Sequence, residues 1–186
     1  MTAKEVSPRF SELIEFYIQE IDRYSDEQFT RKPAEDSWSI GQMYEHLALS
    51  HQYFFMKNAE LCLAKEKGQE GGAPSEIGAG ILSNNSFPPI KIKPSRPAGT
   101  PEPVAQSRSH YKTALRKLQQ EITDRAAAID ADANTYTIEH PRFGALNAQQ
   151  WFQFHEIHFR HHLRQKRELD QFLGIEEKEF ALKSQK

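Results

Sequence analysis

The stretch HEIHFRHHLRQ, residues 155–165, sets His155, His158, His161 and His162 within eight positions, half of the eight histidines in the chain. Its register decides what the segment is. At about 100° per residue, Trp151, His155, His158, His162, Gln165, Leu169 and Leu173 fall within one sector of roughly 80°. Spacings alternating between three and four residues are those of a buried bundle seam. Trp151 closes the seam at one end, and Leu169 and Leu173 at the other. Three histidines and a glutamine occupy its middle, while His161 lies toward an edge.

A surface tag has no reason to keep a core register. The pattern therefore predicts polar rings inside an otherwise apolar seam, where each unpaired group costs a few kcal/mol, roughly. Hydrogen bonds or a metal ion must satisfy them. His158 and His162, four residues apart on a helix, project side by side and can share one ion. An HxxxH pair alone is a weak signal, and a third ligand has to come from elsewhere in the fold. His46 is the best candidate, on the inner side of its helix beside Met43, Leu47 and Ser50; a core-edge histidine bonded to a neighbour is the alternative. His51 is expected on a different face, meeting solvent. His110 is expected exposed, and His140, before Pro141, is expected to be a plain loop residue.

Outward from this helix, the chain holds three more segments of helical periodicity. Phe10, Leu13, Ile14, Tyr17, Ile18, Ile21 and Tyr24 make one apolar stripe over about residues 8–24, with Pro8 in the first turn. Ser39 and Gln42 form a capping box ahead of a helix running to about Lys65, on which Ile40, Met43, Leu47, Ser50 and Phe54 share a face. Tyr111, Leu115, Leu118, Ile122 and Ile129 mark a third helix over about 104–130. Asn147, with Gln150 three residues on, caps the histidine helix over about 147–173, and Gly174 stops it. Residues 67–103 are dense in glycine and proline, and no helix is expected there. Such a connection can run the length of a bundle and let helices two and three lie parallel; a loose insertion is the alternative. TYTI, before Pro141, is expected to be briefly extended. These elements predict one all-α domain over residues 1–186.

The bulk properties narrow the function. The 186 residues suffice for a real core. A net charge of −2 offers no basic field to nucleic acid. No apolar run approaches the roughly 20 residues that span a bilayer. One cysteine, Cys62, excludes an intramolecular disulfide. The polar N-terminal segment MTAKEVSPRF lacks a secretory h-region. Together these favour a cytoplasmic protein.

WSIGQMYEHLALSH, with its histidine eight positions after the tryptophan, resembles the second helix of DinB-like (YfiT-like) proteins. HFRHHLRQ resembles their fourth-helix signature, HxxxH with glutamine three residues on, and HPRFGALNAQQW resembles the lead-in to it. The match follows the element order of nearly the whole chain and is weakest over 67–103. The resemblance implies a four-helix bundle with a long crossover between helices two and three. It also implies a divalent metal, nickel or zinc, held by His46, His158 and His162. His161 stands where many relatives have arginine. His155 and Gln165 are candidate supporting residues around the ligands.

Three neutral imidazoles leave a divalent ion its full charge and an open position, which can lower the pKa of a bound water or keep a thiolate deprotonated. The family includes transferases and isomerases that use low-molecular-weight thiols, and proteins labelled metal-dependent hydrolases. The resulting expectation is a metal-dependent enzyme that activates a thiol cosubstrate or water for a small-molecule substrate. The alternative is a non-catalytic bundle stapled by its metal, binding a small ligand or pairing as a homodimer. No residue stands out as a general base: Glu45 and Glu156 are each offset about 100° from a neighbouring histidine and are expected solvated or supporting. Cys62 is expected to be a small core residue, over about 20 Å along the helix from His46.

Overall fold

A computed structural model describes residues 1–88 and 103–182. Four long helical stretches form a bundle. The first, α1 (Ala3–Glu20), begins where Thr2 and Glu5 make a reciprocal capping box. It starts five residues earlier than the apolar stripe suggests, because the cap lies upstream of the stripe. Pro8 therefore sits in the second turn. The carbonyl it cannot serve is that of Lys4, an exposed residue. A 3-10 turn (Ile21–Arg23) and a short helix α2 (Asp26–Thr30) follow.

The second stretch is α3 (Ile40–Ser50), a π-helical turn (His51–Phe55) and α4 (Met56–Leu63), running on without a break. Ser39 and Gln42 form the expected capping box. The third, α6 (Arg108–Ala131), starts four residues later than expected, where the Ser107 side chain accepts from the His110 N–H. The fourth, α7 (Ala148–Leu173), has the Asn147–Gln150 capping box and ends at Gly174 in the left-handed region at φ 69°.

Contacts between side chains give the helix directions. Tyr17 donates to the Phe159 carbonyl and Tyr24 to Asp170, so α1 and α7 run the same way. Gln119 donates to Ser11, and Asp130 accepts from the Ala3 N–H, so α1 and α6 are antiparallel. His51 pairs with Glu121 and Glu60 with Arg125, which makes the second stretch parallel to α6. Parallel neighbours cannot be joined by a tight turn, and the long connection answers that need. The core is rich in large rings, including Phe10, Tyr17, Tyr44, Tyr111, Trp151 and Phe159, and burial of a phenylalanine alone is worth roughly 1.5–3 kcal/mol.

The connection contains structure where none is expected. Its helix α5 (Glu76–Asn84) is capped by Ser75 and ends at Asn85 in the left-handed region. Gly78 belongs to it for a packing reason: a Cβ there would stand 2.3 Å from the Phe143 carbonyl oxygen. The glycine breaks helical propensity but permits the docking. Residues 89–102, the rest of the crossover, lie outside the described residues. The extended TYTI segment is found in β2 (Tyr136–His140), which pairs antiparallel with β3 (Gly144–Leu146) and with β1 (Gln69–Glu70). This small sheet caps a molecule that is otherwise helical. Among the described residues, no helix is long and apolar enough to cross a membrane.

Candidate metal centre

His46 stands two turns into α3, and the ring of Trp38, just ahead of the Ser39 cap, packs against the His46 imidazole at 5.0 Å with a 48° tilt. His158 and His162 stand one turn apart on α7, which runs antiparallel to α3. Their Nε2 atoms converge: His46 to His158 is 3.1 Å, and His158 to His162 is 3.1 Å. All three candidate ligand atoms lie within 4.8 Å of one another. Each residue is half-buried.

This arrangement fits a cation better than hydrogen bonding. Nε2 of His158 faces two partners at once, yet a ring nitrogen has one proton to donate or one in-plane lone pair to accept with. A tetrahedral ion with metal–nitrogen bonds of about 2.0–2.1 Å needs ligand nitrogens about 3.3–3.4 Å apart. The two 3.1 Å separations at His158 are close to that. Gln165 Oε1 lies 2.8 Å from His162 Nδ1. With Nδ1–H donating to that amide oxygen, the neutral ring turns the lone pair of Nε2 inward. Burial, then the neighbouring imidazoles, hold His158 and His162 well below the ordinary histidine range. Neutral rings are the ligand form.

Behind the cluster the packing is aromatic. Phe55 abuts His158 at 4.9 Å and stacks on His155 at 5.2 Å, with 10° between planes. His51 also stacks on His155, 5.1 Å away. Both His155 nitrogens, Nδ1 of His51, Nδ1 of His158 and Nε1 of Trp151 are buried without a protein hydrogen-bond partner. Phe55 thus touches both His155 and His158, and His155 lies outside the three-histidine cluster.

Three expectations are corrected. His51 is buried, and its Nε2 lies 2.8 Å from Glu121. It follows Tyr44 and Leu47 by seven and four residues, so it shares their face. A helix packed against both α6 and α7 buries two lines of residues, and a single seam does not capture the second. His140 is a buried strand residue stacked on Phe143 at 4.3 Å. Burial, then the nearby Arg142, pushes it down to about 4. Glu156 is buried and held by Arg160 through contacts of 2.7 and 3.0 Å, so it is not solvated.

Other positions fall as expected. His110 is exposed, whereas Glu45, expected solvated or supporting, is half-buried. Cys62 is a buried core thiol, pushed up to about 12 by burial. His161 stands at the edge of the centre, with the Phe87 ring 5.2 Å away. The parts that sequence reasoning missed are the rings framing the ligands, Trp38, Phe55 and Phe87. Trp38 lies inside the motif that carries the family resemblance, whereas Phe87, alone among prolines, gives no signal.

A bundle whose second and third helices run parallel, with three imidazoles meeting between the second and fourth, is a helical protein with a centre fit for a divalent metal. The chain belongs to the DinB superfamily, whose sequence model matches residues 10–165. It is 25% identical over 153 residues to YuaE, an uncharacterised protein of Bacillus subtilis (strain 168), covering 81% of this chain and 88% of that protein. Among solved structures it resembles YfiT from Bacillus subtilis, with a TM-score of 0.60 and 17% identity over 94% of this chain and 89% of the other. YfiT is described as a probable metal-dependent hydrolase with an unusual four-helix bundle topology. At this identity the likeness bears on the fold.

Proposed function

We propose that His46, His158 and His162 hold a divalent ion, nickel or zinc, and that the protein is a metal-dependent enzyme using this centre on a small-molecule substrate. The observation that supports this most directly is the convergence of three Nε2 atoms at a half-buried spot where, among the described residues, no carboxylate completes the set. A structural site closes with four protein ligands, whereas three leave a position open. When bound, the ion supplies Lewis acidity at that position, to a thiol or to water.

Of the two chemistries, transfer from a low-molecular-weight thiol is favoured. It needs no protein base, because coordination itself deprotonates a thiol. The carboxylates nearest in sequence are engaged elsewhere: Glu156 with Arg160, and Glu45 beside Tyr111. Hydrolysis is the second reading, in keeping with the description of YfiT. In both, the chain's own residues do the positioning. Gln165 sets the tautomer of His162, Trp38 braces His46, and Phe55 backs His158.

The test is His46→Ala, followed by metal content and melting temperature. Loss of metal with little loss of stability supports an open functional centre. Collapse of the fold supports a structural staple, and full metal occupancy removes His46 from the ligand set. A screen of cellular thiols against electrophilic probes then separates transferase from hydrolase.

A further inference from the structure

We propose that the solvent side of the three-histidine centre is an aromatic slot, selecting ligands in which an anionic metal-binding head is joined directly to a flat apolar ring. The slot rests on the open metal position proposed above. A row of rings crosses the centre. Trp38 packs on His46 at 5.0 Å, His46 on His162 at 4.8 Å, His162 on His161 at 5.6 Å, and His161 on Phe87 at 5.2 Å. All five rings are half-buried, whereas Phe55 and His155 on the opposite side are 4% and 0% exposed. The row therefore marks the side of the centre that meets solvent.

Trp38 and Phe87 lie outside the four bundle helices, and Phe87 also rests on the core rings of Phe143 and Phe154, 5.8 and 6.2 Å away. Trp38 precedes the cap of α3, and Phe87 belongs to the connection after α5. Both are nevertheless held in place. Trp38 is next to Ser39, whose side chain and backbone are tied to Gln42. Phe87 follows Asn85, whose side chain accepts from Gln153 and whose carbonyl accepts from Arg160. Two fixed aromatic surfaces flanking a metal-competent spot suit a planar apolar group, since rings pair well edge-on or offset.

Charge defines the head group. Three neutral imidazoles cancel none of the charge of a divalent ion, so an anionic donor is preferred there. Arg160 is already bound to Glu156 and to the Asn85 carbonyl, so it is not free to attract a second anion at the Phe87 end. The tail of the ligand is accordingly apolar.

The experiment titrates nickel-loaded protein with acetohydroxamate and benzohydroxamate by calorimetry. The two probes share a metal-binding head and differ by a ring. Benzohydroxamate is expected to bind about tenfold tighter or better, as burial of one ring dictates. Phe87→Ala and Trp38→Leu should each cut that ratio to about threefold or less. Metal content, measured for each variant, separates lost preference from lost metal. Equal affinity of the two probes, or a preference that survives both substitutions, overturns the slot and leaves the open position standing. Binding of neither probe to the loaded wild type overturns the open position and the slot with it.

Discussion

Gln165 receives a 2.8 Å hydrogen bond from Nδ1 of His162, one turn earlier on the same helix. That contact decides which nitrogen of His162 faces His46 and His158. Groups that orient metal ligands in this way are typically worth about 10- to 100-fold in affinity. Gln165→Leu should therefore weaken metal binding by about tenfold or more, with little change in melting temperature. Competition against a chelator of known affinity measures it, and an unchanged affinity would detach Gln165 from the centre.

Acid should destabilise the metal-free protein before it protonates the carboxylates. His155 is held well below its ordinary range by burial, then by His51. His51 is lowered by burial against the upward pull of Glu121, and His140 is pushed down to about 4. In the unfolded chain these rings titrate near about 6.5. Their folded values are depressed, so the unfolded state binds more protons at intermediate pH. The stability they confer is complete above about 6.5 and is lost as pH falls toward and through the folded values. The urea midpoint should drop steadily from pH 7.5 to pH 5. A flat profile over that range contradicts the burial of these rings as neutral groups.

Lys166 ties two helices through an internal charge cluster. Its Nζ lies 2.7 Å from Glu20 and 2.6 Å from Asp170, and all three residues are buried. Lys166→Met leaves two carboxylates in the core with reduced compensation, at a cost of about 3–5 kcal/mol. Urea denaturation reads this directly. A loss under about 1 kcal/mol would mean that Arg23 and Lys178, 2.6 and 3.9 Å from Glu20, neutralise the cluster without it.

Gly144 couples the hairpin to the start of α5. It sits at φ +77°, and a Cβ there would stand 2.4 Å from the Ser75 N. Gly144→Ala combines a left-handed backbone with a backbone clash. It should cost about 1–3 kcal/mol and raise amide exchange in α5 more than in α7. Uniform exchange across both helices would argue against a local role.

The candidate ligands were legible because polar rings broke an apolar period. His158 and His162 stood out where Trp151, Leu169 and Leu173 predict carbon. The caps at Ser39 and Asn147 were equally legible, since they depend only on residues three apart. His51 and His140 were not. One occupies a second buried line, created by a third helix, and the other is buried by the rings of Phe54, Phe143, Trp151 and Phe154, which only the tertiary fold brings together. The helix α5 was hidden for a related reason. Gly78 argues against a helix locally and is required by one neighbour, the Phe143 carbonyl. Local propensity cannot register a contact made 65 residues later.

Gln153 and Arg160 grip α5 mainly by its main-chain oxygens, those of Leu82 and Asn85. A clasp on peptide oxygens is largely indifferent to the side chains it carries. Substitutions along the exposed face of α5 can therefore accumulate while the moorings persist. The outward face of this helix can change its chemistry without disturbing the scaffold that presents it.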